Sequence, residues 1–255
     1  MYSVPHIVRP GETISSGGLE KFAGGKGLNQ SVALARAGAD VYHAGLAGED
    51  GDFLKTFLRQ SGADVSLIER CPGPNGHAVI QVEESGQNSI VLFGGSNRQV
   101  TAPFIDRALG RFGPDDLLVL QNEVGMLADI IDKAHSKGIK IALNPSPMNE
   151  TVLACRLGKG SFFIVNEIEG GALTGKTRPA DILEAFAAKY PEAKVALTLG
   201  KDGAMYFDGE KTYAHGVYDI PVADTTAAGD TFLGYFLANI FKEEPGEALR
   251  LASVA

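Results

Sequence analysis

The sequence predicts an α/β protein: one three-layer domain with a mostly parallel central sheet, helices on both faces, and a small antiparallel β appendage. Three observations carry this expectation. From about residue 112 onward, short apolar runs alternate with helical patterns, the order that builds parallel βαβ units with right-handed crossovers. The segment 77–93 breaks that rhythm with two strand-like runs back to back. No repeat, low-complexity tract or linker divides the 255 residues, so a single domain over 1–255 accounts for them.

The elements follow in order. Residues 41–47 read as a strand and 52–60 as a helix. Runs 77–82 and 89–93 are strands joined across Glu83-Glu84-Ser85-Gly86-Gln87-Asn88, a hairpin. Strand 117–120, helix 126–136 and strand 139–143 make one βαβ unit, and strand 162–165, helix 180–189 and strand 194–199 make another. Residues 205–207 and 212–214 form a second antiparallel pair, and helices 229–241 and 247–254 close the chain. An antiparallel hairpin inserted in a βαβ chain suits a lid, with segments near 10–23 and 77–97.

Composition narrows the function. A net charge of −8 disfavours nucleic acid or an acidic membrane as partner. The two cysteines, Cys71 and Cys155, form no metal-binding spacing, which fits a reducing cytoplasm. No apolar run is long enough to span a bilayer. Gly170 to Thr177 spells G-x-x-x-x-G-K-T, the pattern of a phosphate-binding loop. That loop must follow a strand directly. Here Asn166 to Leu173 reads instead as a short helix capped by Asn166, with Pro179 where an early helical N–H is needed, so the motif is set aside.

Two other stretches point to chemistry. Asp224-Thr225-Thr226-Ala227-Ala228-Gly229-Asp230 precedes an apolar helix. A helix N-terminus offers unpaired N–H groups, and Ala227, Ala228 and Gly229 leave them accessible to an anion. Asp230 in the same turn is placed to take a proton from a hydroxyl while the N–H groups neutralise a phosphoryl group in transfer. Asp and Thr are also common helix caps, so the pattern alone permits either reading. Gly24-Gly25-Lys26-Gly27-Leu28-Asn29-Gln30 precedes a small-residue helix at 31–37. Its glycines admit a small ligand and its Lys and Asn suit sugar hydroxyls, though an ordinary helix start would look the same.

Together, G-G-K-G-L-N-Q and D-T-T-A-A-G-D-T-F resemble the two signatures of the ribokinase-like sugar kinases, the PfkB family, most closely its ribokinase branch. Further stretches agree in order: Pro10-Gly11-Glu12-Thr13, Gly94-Gly95-Ser96-Asn97, Leu143-Asn144-Pro145-Ser146-Pro147, Asn166-Glu167-Ile168-Glu169 and Thr198-Leu199-Gly200-Lys201-Asp202-Gly203. The resemblance covers essentially the whole chain. It implies an ATP-dependent transfer to a sugar hydroxyl, first D-ribose to ribose 5-phosphate. Asp230 would be the base, and Ala227, Ala228 and Gly229 the anion hole. Gly24, Gly25, Lys26, Asn29 and Glu123 would hold the sugar. Asn166, Thr198, Gly200, Gly203 and Gly229 would face the nucleotide, with Asn166 and Glu169 placing Mg²⁺ through water. Asp224 and Thr226 would bind a monovalent cation, K⁺. A homodimer clasped through the β lid is also implied.

The family pattern includes a first central strand, an Asp that grips the sugar, and a closing cation loop, none of which matches a stretch of this chain. Truncation at both ends is therefore an expectation, with lowered stability and activity. Two other readings accompany the first: a kinase of the same family acting on fructose, a sugar acid or a nucleoside, and an inactive sugar- or nucleotide-binding remnant.

Overall fold

The computed structural model describes residues 1–218 and 226–255. In chain order its elements are β1 (Tyr2–Val4), β2 (Gly18–Leu19), α1 (Lys26–Arg36), β3 (Gly45–Ala47), α2 (Asp52–Gln60), β4 (Ile68–Arg70), β5 (His77–Glu83) and β6 (Asn88–Phe93). There follow α3 (Ala102–Leu109), β7 (Leu117–Gln121), α4 (Leu127–Ser136), β8 (Lys140–Asn144), α5 (Glu150–Leu153), β9 (Phe162–Asn166), α6 (Glu167–Thr174) and α7 (Pro179–Lys189). The last are β10 (Lys194–Thr198), β11 (Ala204–Phe207), β12 (Thr212–His215), α8 (Ala228–Asn239) and α9 (Pro245–Val254).

The main sheet has the order β12-β11-β10-β9-β8-β7. Strands β7 to β10 run parallel, and β11 and β12 add an antiparallel pair at one side. Alternation along the strands builds two cores. Ile141, Leu143, Phe163, Val165, Val195 and Leu197 face a layer that contains α3, α4 and α7. Ala142, Phe162, Ile164 and Ala196 face α8 and α9 on the other side. This is the three-layer arrangement the alternating runs require.

The sequence expectations need four corrections. The strand expected at 41–47 is laddered only over Gly45–Ala47, because its partner is a short strand, β4, that the sequence reading did not find; nearer the start only Tyr42 bridges, to Asp64. Helix α1 begins at Lys26, so Lys26, Asn29 and Gln30 lie on the helix instead of in a loop before it. Helix α3 was missed, although Thr101 caps it and Pro103 stands in its first turn. Finally, the hairpin β5–β6 stands apart from the main sheet as expected, but it is half of a four-stranded mixed sheet, β2-β1-β5-β6, and not a lone antiparallel pair. In that sheet β1 pairs parallel to β5, and the 10–23 segment contributes only β2. Ile90, Val91, Leu92 and Phe93 on β6 are exposed.

The G-x-x-x-x-G-K-T stretch covers the end of α6, and Gly175 is its left-handed C-cap. A phosphate loop presents the N-terminal N–H groups of its helix. This stretch presents the carbonyl end, where the macrodipole repels an anion.

Candidate active site

The site forms where α1 crosses α8. Gly234 makes the crossing possible: a Cβ there would lie 2.4 Å from the Ala33 Cβ and 2.8 Å from the Leu34 backbone nitrogen. One turn before this contact on each helix stand Asn29 and Asp230. The Asn29 Nδ2 donates to the Asp230 Oδ2 at 3.0 Å, and the neighbouring Gln30 Nε2 donates to Oδ1 at 2.8 Å. Asp230 is thus buried but paired on both carboxylate oxygens, which is how a charged group is retained away from water.

Ala227, the residue before α8, sits at φ 62°, one of two non-glycine residues with positive φ among those described. A left-handed alanine costs about 1–2 kcal/mol. It turns the chain into α8, and the Ala227 cap position supplies no side-chain hydrogen bond to the helix start. Ala228 and Gly229 are exposed, and the space over Gly229 is open. Thr226 is described and exposed, whereas Asp224 lies outside the described residues.

Of the residues expected to hold the sugar, Gly25, Lys26 and Glu123 stand together. Gly25 caps α1 at φ 104°, a conformation only glycine takes readily. The Lys26 backbone N–H then donates to the Glu123 Oε2 at 2.9 Å. Burial raises the Glu123 carboxyl above its ordinary range, the Lys26 N–H and charge pull it back, and the nearby Asp230 adds to the rise. The Glu123 turn is pinned by buried Asn122, whose side chain donates to the Pro147 carbonyl at 2.6 Å and the Asn149 side chain at 2.9 Å. Gly24, Gly25 and Glu123 line a cavity of about 780 Å³ that extends, largely apolar, between β7, residues 41–47 and helices α1 and α3.

His43 lies in that cavity wall, its Nδ1 2.8 Å from the Ser31 hydroxyl. Desolvation pushes the imidazole down to about 4. A histidine depressed in the fold contributes stability above its unfolded value, and that stability is lost as pH falls through the window from about 6.5 toward 4. His43→Leu is expected to flatten the loss of melting temperature over that window. The ring adjoins a cavity, so the gap between variant and parent should close by about 1–3 kcal/mol. A variant curve parallel to the parent's from pH 7 to pH 4 would show that the ring is not held neutral.

Of the residues expected to face the nucleotide, Asn166 and Thr198 stand at the carboxyl ends of parallel strands, the edge where open α/β sheets bind ligands. Asn166 ends β9 and is in register with Thr198 at the end of β10. Asn166 and Glu169 form a capping box: the Asn side chain accepts from the Glu169 N–H at 2.8 Å and the carboxylate from the Asn166 N–H at 3.1 Å. Gly203, at φ 94°, has a structural reason of its own, since a Cβ there would lie 2.1 Å from the His215 carbonyl oxygen. Gly200, at φ 55°, opens the exposed turn before it.

Three residues near Asp230 were not singled out from sequence. Gln30 is joined by Gln121, whose Nε2 donates to the Gln30 Oε1 at 2.5 Å, and by Asn144, whose Oδ1 accepts from the Gln30 Nε2 at 3.4 Å. Gln121 and Asn144 are the polar last residues of strands with an apolar middle, Leu-Leu-Val-Leu-Gln and Lys-Ile-Ala-Leu-Asn. A polar residue closing a buried parallel strand is the signal that would have found them.

The comparisons with known proteins point to one family. The description "pfkB family carbohydrate kinase" matches residues 2–255. A ribokinase of Haemophilus influenzae is 33% identical, over 99% of this chain and 86% of the relative. The crystal structure of a ribokinase from Cryptococcus neoformans in complex with ADP superposes with a TM-score of 0.83 at 33% identity, covering 100% of this chain and 88% of that one. A ribokinase of Arabidopsis thaliana complexed with ribose and ATP also gives 0.83, at 28% identity, covering 100% and 86%.

Proposed function

The chain belongs to the pfkB family of carbohydrate kinases, ATP-dependent enzymes that transfer phosphate to a sugar, and from that premise we propose that its acceptor is D-ribose and its product ribose 5-phosphate. The ribokinases among its relatives favour ribose, and the observation that carries the kinase chemistry is the pairing of Asp230 with Asn29 across the α1–α8 crossing, which joins the two signatures at one carboxylate. Asp230 takes the proton of the sugar hydroxyl. The freed oxygen attacks the γ-phosphorus of ATP, the bond to the β–γ bridging oxygen breaks, and ADP leaves. The N–H groups at the start of α8, from Ala227 to Gly229, stabilise charge on the group in transfer. Gly24, Gly25, Lys26, Asn29 and Glu123 hold the sugar, and Asn166, Thr198, Gly200, Gly203 and Gly229 face the nucleotide.

Among the described residues no group of three or more His, Cys, Asp or Glu side chains could hold a metal directly. Asn166 and Glu169 keep free acceptor capacity beyond their mutual capping bonds, an oxygen set that suits a hydrated Mg²⁺. Mg²⁺ there would neutralise phosphate charge. The monovalent-cation site would draw on Thr226 and Asp224. The exposed apolar run Ile90–Phe93 of β6 supports a lid that buries this face against a second copy, which sedimentation would read as a dimer. Among the described residues no helix is long and apolar enough to cross a membrane.

The test is ADP release over a panel of ribose, deoxyribose, fructose, sugar acids and nucleosides. Ribose should give the highest kcat/KM. A higher value for any other acceptor would reassign the substrate.

A further inference from the structure

The geometry points to Gln30 as a positioning residue that fixes which oxygen of Asp230 reacts: it occupies Oδ1 from the protein interior and leaves Oδ2 as the proton-accepting atom. This rests on the reading of Asp230 as the base. The argument is one of hydrogen-bond polarity. The Ile164 backbone carbonyl can only accept, so the Asn144 side chain, 2.9 Å away, must present its Nδ2 there. Its Oδ1 then faces Gln30 and requires the Gln30 amide to present nitrogen on that side. The same nitrogen reaches the Asp230 Oδ1 at 2.8 Å. At its other end the Gln30 oxygen accepts from Gln121. A turned Gln30 amide would set oxygen against oxygen at both Asn144 and Asp230.

Gln30 is 1% exposed, so its bond to Oδ1 is made away from bulk water. Asn29, by contrast, is only partly buried, so Oδ2, which it meets, is the oxygen on the more open side of the carboxylate. A carboxylate oxygen has two lone pairs, so Oδ2 can keep Asn29 and still accept a proton. The carboxylate is thereby held in one rotamer, anchored through Gln30 and Asn144 to the backbone of β9. Proton transfer depends on such placement to within a fraction of an ångström.

The test compares Gln30→Met, which keeps the volume and loses the donor, with Gln30→Glu, which sets an acceptor against Oδ1. The expected result is a fall in kcat of about 10–100-fold for Met and a larger fall for Glu, with KM for sugar and ATP changed less than threefold. Unchanged kcat in Gln30→Met, or a loss that appears wholly in KM, would overturn the inference. Asp230→Asn measured alongside separates the two claims: a dead Asp230→Asn with a normal Gln30→Met removes only the role of Gln30, whereas an active Asp230→Asn removes the base itself. A readout free of turnover is the exchange of the Gln30 side-chain NH₂ in a ¹⁵N-labelled sample. Protection well beyond that of surface glutamines is expected, and exchange as fast as theirs contradicts the bond.

Discussion

Asp230→Asn is expected to lower kcat by about 10²–10⁴-fold, the range a positioned general base supplies, while nucleotide binding stays within a few-fold. The amide keeps the shape of the carboxylate and loses the proton-accepting charge. Its fold should survive, because the polarity of the site accommodates it. Gln30 continues to donate to the oxygen of the new amide, and the new NH₂ faces Asn29, a partly buried side chain whose own amide can turn. The melting temperature should therefore move little, with a stability change within about 1 kcal/mol. Turnover within a few-fold of the parent would remove Asp230 from the chemistry. Nucleotide affinity from equilibrium binding and kcat from ADP release give the two halves of this result.

The second large effect comes from a residue that touches no substrate. Gly234→Ala places a methyl group 2.4 Å from the Ala33 Cβ and 2.8–2.9 Å from backbone atoms of Ala33 and Leu34. Backbone cannot swing aside as a flexible side chain would, so α8 must move away from α1. Overpacking of this kind costs about 1–3 kcal/mol. The displacement is carried one turn along both helices to Asp230 and Asn29, where a misplacement near 1 Å lowers turnover by about 10²-fold. Gly246→Ala is the control: it lies at the start of α9 with nothing within contact of the added methyl, and should melt at or slightly above the parent. Thermal melts and kcat of the two variants test the crossing directly. An unperturbed melt and full activity for Gly234→Ala would mean that the helices are not so closely packed.

Much of this site was legible because its parts are local. The signatures at 24–30 and 224–230 read as helix starts, and small residues there suggest a ligand-facing turn without reference to the rest of the chain. The α/β rhythm after residue 112 was legible for a similar reason: each apolar run is continuous, as strands buried on both faces must be. What escaped reading depends on distant partners. β4 is three residues long and gains its identity only by pairing with β3. β1 is likewise defined by β2 and β5. Gln30 closes the G-G-K-G-L-N-Q stretch, and Gln121 falls one residue beyond the strand read at 117–120. Their shared hydrogen-bond network appears only once α1, β7 and β8 meet. Gly234 lies in the middle of an apolar helix, and nothing local distinguishes a glycine required by a crossing from a tolerated one.

The measurement that bears most directly on the account is the fate of the γ-phosphate of ATP, labelled with ³²P and incubated with ribose and either the parent chain or Asp230→Asn. The account predicts labelled ribose 5-phosphate from the parent and background label from the variant. Equal labelling of ribose by both proteins, or release of labelled inorganic phosphate at the same rate with and without sugar, would contradict it.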